Sequence, residues 1–202
     1  MAQVLKEKIR LKILDAATRA FVKSGYQGTT VSDIARIAGV AVGNIYRYFG
    51  GKEDLFRAVV TPEFAERLLA LLREHIKALS NTGDDIELKD AAFNAQEQLL
   101  SFWIEHRRQV IIILDRSGGT DFEGFADKFV EIMVTLALAH ARDRGNQVDF
   151  DPDMHFLLRA IFQNTVNVIV SILEHHDREA DIRNAFKLFR QYQLHGLNGL
   201  LS

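Results

Sequence analysis

The chain has 202 residues, 48% hydrophobic and 26% charged, with a formal net charge of −2. This is an ordinary globular balance, with enough chain for one large domain or two small ones around a sizeable core. There is no cysteine, which excludes a disulfide framework and a cysteine-ligated zinc site and fits a reducing, cytoplasmic setting.

The first twelve residues, MAQVLKEKIRLK, mix charges with aliphatics and hold no apolar core of the secretory-signal kind. The longest uncharged run, Ala160 to Leu173, is 14 residues long and includes Gln163, Asn164 and Asn167. It is too short and too polar to predict a membrane span. Charge is unevenly spread: residues 1–55 carry nine Lys and Arg against five Asp and Glu, and residues 56–202 carry 16 against 22. A basic head on an acidic body predicts that only the head meets a polyanion.

In chain order, apolar residues from Val4 to Phe21 recur at spacings of three and four and predict a helix, stopped at Gly25. Thr30 and Asp33 have capping-box spacing and open a second helix, to about Ala38. Gly39-Val40 is a tight turn. A third helix runs from about Ala41 to Phe49, and Gly50-Gly51 ends it. A long helix follows from about Lys52 to Leu79, with a bend allowed at Thr61-Pro62, then a loop at Asn81 to Asp85. Helical pattern covers Ile86 to Glu105 and a short apolar stretch, Val110 to Leu114, then breaks at Ser117 to Thr120. Another helix covers about Asp121 to Arg144. After a loop from Gly145, Asp151 caps a helix that begins at Pro152 and ends near His175, and the last runs from Arg178 to Leu201. No β-alternation is present. The predicted fold is all-α with about nine helices: a three-helix helix-turn-helix head in residues 1–51 on a larger helical body in residues 52–202.

Within the head, Ile34, Ala38 and Val40 can close against Ile45 and Phe49, and Gly39 supplies the positive φ such a turn needs. Ile45 and Phe49, four apart, point inward. Gly43 and Arg47 then lie on the opposite face, flanked by Asn44 and Tyr46, a set suited to base edges and phosphates. Glycine at 43 costs a helix roughly 1 kcal/mol and wants a reason. Thr30, with the first amides of its helix, can take a phosphate, and Lys52 adds positive charge at the same end.

Ile13-Leu14-Asp15-Ala16-Ala17, Phe21, Gly25-Tyr26, Thr29-Thr30-Val31, Asp33-Ile34-Ala35, Ala38-Gly39-Val40, Gly43, Tyr46, Tyr48-Phe49 and Lys52-Glu53-Asp54-Leu55 together resemble the N-terminal signature of the TetR-type transcriptional regulators. The resemblance is dense over residues 13–55; beyond it only helix number and length agree. It implies that Thr30 and Lys52 hold phosphates and that Val42, Gly43, Asn44, Tyr46, Arg47 and Tyr48 face double-stranded DNA. Position 42 is often polar or small in the family; valine there could meet a thymine methyl or cover the sugar-phosphate edge. The resemblance also implies a repressor released by a small ligand.

Pro152 to Leu173 is apolar on nearly every side, which predicts one face on the chain's own core and the other on a second subunit. With Ile182, Phe186, Phe189 and Tyr192 on the last helix, it predicts a two-fold dimer through helices 152–175 and 178–201. The heads of such a dimer would read a palindrome. The body's aromatic and polar mixture makes Trp103, His106, Phe125, Phe129, Phe162, Gln163 and Asn167 pocket candidates for a partly apolar or aromatic effector.

A helical-bundle enzyme or cofactor-binding protein is the main rival, and a DNA-binding regulator without ligand control is another. GxxxxGK[ST], GxSxG, HExxH and GxGxxG are all absent, and no histidine follows a glutamate by three residues. His175-His176-Asp177 could bind a metal but reads first as a solvated helix end. No catalytic residue, metal site or cofactor is predicted.

Overall fold

A computed structural model describes residues 2–80, 86–143 and 152–201. The loops expected at Asn81 to Asp85 and Gly145 to Asp151, with the Asp151 cap, lie outside the described residues. All regular structure among the described residues is α-helical: α1 (Ala2–Ser24), α2 (Val31–Ala38), α3 (Val42–Tyr46), α4 (Lys52–Val59), α5 (Pro62–Ser80), α6 (Ile86–Glu105), α7 (Arg107–Asp115), α8 (Phe125–Asp143), α9 (Pro152–His175) and α10 (Glu179–Leu201).

Several ends differ from the sequence expectation for local reasons. The third helix stops at Tyr46 rather than Phe49, because its last turn tightens: the Arg47 and Tyr48 amides donate to Asn44 and Ile45, three residues back. The bend allowed at Thr61-Pro62 is a full break. Val60 is extended (φ −119°), Thr61 precedes a proline, and its hydroxyl accepts from the Phe64 amide at 3.2 Å, so α5 starts afresh. Before α8, Ser117 Oγ bonds to the carbonyls of Ile113 and Phe122, and Gly124 turns at φ +80°, which delays the helix from Asp121 to Phe125.

The chain divides into two compact units: residues 1–66 with 108–125, and residues 67–107 with 126–202. The head is therefore larger than residues 1–51. The reason is aromatic packing: the Phe56 ring of α4 lies 5.3 Å from those of both Phe21 and Tyr26, and 6.3 Å from Phe122. The segment after α7 is tied into the same unit by the Tyr26 amide on the Arg116 carbonyl (2.9 Å), Arg108 on Asp15 (3.1 Å) and Arg57 on Asp121 (2.6 Å).

In the second unit, α9 buries Leu158, Phe162, Val166, Ile169 and Leu173. Its Arg159 pairs with Asp127 (2.7 Å) and Glu131 of α8, and Arg183 of α10 pairs with Glu97 of α6 (2.7 Å). The other side of α9 is left uncovered by the described residues: Phe156 is 72% exposed and Leu157 41%, while Leu188 and Tyr192 of α10 are 59% and 73% exposed. By length and composition α9 is also apolar enough to cross a bilayer, but its buried face is built into a core.

Candidate functional site

The head's motif begins with a complete capping box. Thr30 Oγ1 accepts from the Asp33 amide (3.1 Å), and the Asp33 carboxylate accepts from the Thr30 amide (3.3 Å) and hydroxyl (2.6 Å). The Thr30 hydroxyl bond, aided by Arg36, holds the Asp33 carboxyl below its usual range. Thr30 is exposed, but in the free chain its hydroxyl is committed to this cap. Gly39, at φ +61°, closes α2 in the left-handed conformation and turns the chain toward α3.

Ile45 is fully buried and Phe49 nearly so, which fixes the rotation of α3. Val42 (39% exposed), Gly43, Tyr46 (57%) and Arg47 face outward, and Asn44 and Tyr48 are half-buried. The polar groups of Asn44, Tyr46, Arg47 and Tyr48 make no side-chain hydrogen bond or ion pair among the described residues. They are donors and acceptors held in place with nothing among the described residues to bond. A Cβ built on Gly43 meets nothing within 4 Å, so no contact inside the protein demands glycine there.

Lys52 is placed differently from a free phosphate ligand. Its ammonium donates to the Tyr26 carbonyl at 2.9 Å and lies 4.2 Å from the Tyr26 ring centroid, tying the start of α4 to the α1–α2 loop. Lys6 and Arg10 of α1 join the sequence-based set. With Gln3 and Glu7 they line a groove shared with Arg47 and Tyr48, and Arg10 sits over the Phe49 ring at 5.7 Å. The charged run KEKIR is the sequence signal for them.

The second unit contains a cavity of about 380 Å³ walled by α5, α6, α8, α9 and α10. Trp103, Phe129 and Phe162 line it as the sequence suggests; His106, Phe125, Gln163 and Asn167 do not. On α9 the lining positions are Phe162, Thr165 and Ile169; Gln163 is rotated off that face and Asn167 is exposed. The His106 ring packs at a tilt on Phe102, centroids 4.6 Å apart, and Phe125 is buried in the first unit. His75, Gln96, Arg190 and Gln193 supply polar lining that the sequence reading lacks. His75 interrupts an otherwise apolar stripe, Leu68, Leu72, His75, Leu79, which is the signal for it. Burial, and then the nearby Arg190 charge, pushes its imidazole down to about 4. At the far end of α9, Asp177 and the His176 carbonyl are bound by Arg107 at 2.8 and 2.6 Å, so the carboxylate of the His-His-Asp run already has a partner.

Residues 13–59 match the family of bacterial regulatory proteins of tetR type. The chain is 35% identical over 81 residues to the HTH-type transcriptional regulator TtgR of Pseudomonas putida, covering 40% of this chain but 36% of that protein, about a third of its length. It is 33% identical over 191 residues to the uncharacterized HTH-type transcriptional regulator YfiR of Bacillus subtilis, covering 88% of this chain and 86% of YfiR. A crystal structure of the probable transcriptional regulatory protein RHA5900 superposes with a TM-score of 0.58 at 21% identity, over 96% of this chain and 99% of that one, and shares the fold. The motif geometry, the family match and the near-full-length relative agree: the chain belongs to the TetR family of helix-turn-helix transcriptional regulators.

Proposed function

We propose that the protein is a homodimeric regulator that binds a palindromic DNA operator through α3 and is released from it by a small ligand held in the body cavity. The observation that carries the DNA reading is the outward face of α3. Its guanidinium, amide and phenols have no partner among the described residues, and no contact among them requires glycine at 43. Arg47 is the base-reading group and Val42 the methyl-contacting one. Thr30, through the first amides of α2, and Lys52, through the donors left beside its Tyr26 bond, hold phosphates, and Lys6 and Arg10 add positive charge to the groove shared with Arg47 and Tyr48. The exposed Phe156, Leu157, Leu188 and Tyr192 support the dimer, and the cavity supports ligand control.

Selection from a random DNA pool tests this directly: a palindrome whose half-sites lie about one helical turn apart is expected. On that site, Arg47→Ala costs about 1–3 kcal/mol and relaxes discrimination at one base pair, while Lys52→Ala weakens all sequences alike and lowers the salt slope by about one. Recovery of no enriched sequence, or parental binding by both variants, removes the reading.

A further inference from the structure

The body cavity has a chemical bias that the sequence does not announce. Among the described residues lining it there is no aspartate or glutamate. Its formal positive charge comes from Arg190, whose guanidinium bonds to the Gln96 side-chain oxygen, a neutral partner, and to no carboxylate among the described residues. A guanidinium with one neutral acceptor keeps most of its donors and all of its charge available. Two further groups on the wall are buried without hydrogen-bond partners among the described residues: the Trp103 indole N–H and His75 Nδ1. Trp103 is only 9% exposed, and a buried donor left unmade is unfavourable unless something else supplies the acceptor. By contrast, the Gln193 amide nitrogen already donates to the Thr165 hydroxyl at 2.7 Å.

The remaining wall is apolar and soft, with Leu99, Phe129, Met133, Phe162 and Phe186 among its members. Arg190 as a whole is solvent-exposed while still lining the cavity, so it stands at the mouth and the apolar walls lie behind it. The volume is at the lower end of the usual ligand range of about 300–1,000 Å³. An ammonium or quaternary cation would enter against an unneutralised arginine with no acid among the described lining residues to receive it.

We infer that the cavity takes an amphipathic monocarboxylate, its anionic head on Arg190 and its acyl or aromatic body among the apolar walls. This rests on the ligand-control reading and narrows it to one charge class. The head accepts from the guanidinium, and acceptor atoms along the ligand answer the Trp103 N–H. Burial, and then the nearby Arg190 charge, holds the His75 imidazole below its usual range, so Arg190 is the fixed positive charge that the head answers.

Trp103 is the chain's one tryptophan and stands on the cavity wall, so its emission reports occupancy. The full chain is titrated with decanoate, decan-1-ol and decyltrimethylammonium, one apolar body with three head charges, each below its micellar concentration, with calorimetry for stoichiometry. Decanoate is expected to bind one per chain and about tenfold tighter than either of the others. Arg190→Gln should weaken decanoate by about tenfold, the weight of one charge-assisted hydrogen bond, and leave decan-1-ol unchanged, which shows that the variant is folded. If decan-1-ol or the cation binds as tightly as decanoate, or Arg190→Gln binds decanoate like the parent, the carboxylate assignment is overturned and the ligand cavity stands. If none of the three binds, both are overturned.

Discussion

Gly43 shows most plainly how a single residue separates stability from function. Its added Cβ would stand in open space, so Gly43→Ala should raise stability by up to about 1 kcal/mol, the difference in helix propensity. The same methyl would hold the α3 backbone off the DNA. Operator affinity should fall by about tenfold in a binding titration while the melting temperature rises by about 2–4 °C. A variant that gains stability and keeps its affinity would mean that α3 does not approach DNA at this position. The inward pair Ile45 and Phe49 is legible in the sequence because their spacing of four is a property of one helix. The Lys52 to Tyr26 bond is not: it joins residues 26 apart, and only the packing of α4 on α1 brings them together. For the same reason, loss of Lys52 should cost some stability as well as phosphate contact.

Helices are legible from pattern where a cap or a glycine marks them, as the Thr30–Asp33 box and the Gly39 turn do. The faces they turn to one another are less so. On α9, Phe162 lies on the cavity while Gln163 does not, because each residue along a helix turns about 100° and the sequence does not say which neighbour lies where. His75 of α5 makes the point testable. Its folded-state value of about 4 lies below its ordinary 6.5, so the folded chain keeps it neutral while the unfolded chain takes up a proton. Stability from this group is complete above about pH 6.5 and is lost as the pH falls toward 4, by up to about 3 kcal/mol. Denaturant unfolding of the parent and of His75→Leu, compared at pH 7 and pH 4.5, should show a smaller acid loss in the variant. Equal losses would show that the imidazole is not held in a burying site. The other ionisable side chains among the described lining, Arg190 and His140, are common to both proteins.

For the whole molecule, the uncovered apolar side of α9 and α10 predicts that folding and assembly are linked. Pairing of Leu157, Leu188 and Tyr192 with a second copy would make the melting temperature rise with protein concentration. Tyr192→Glu should abolish that dependence and halve the mass in sedimentation; a parent chain that sediments as a monomer at all concentrations rules the dimer out. The all-α class was readable from the chain because nearly every segment has a helical period. The limits of the head were not, because they depend on Phe56 and Phe122 meeting across more than sixty residues of sequence. The head takes residues 108–125 from beyond α6, so it is not one continuous stretch of gene. A recombination that exchanged residues 1–66 alone would carry the reading face to a new body but leave behind Asp121 for Arg57, Arg108 for Asp15 and the carbonyl that receives the Tyr26 amide. Grafting this DNA specificity onto another effector domain therefore takes two crossovers, or a recipient whose own α7 segment already offers those partners.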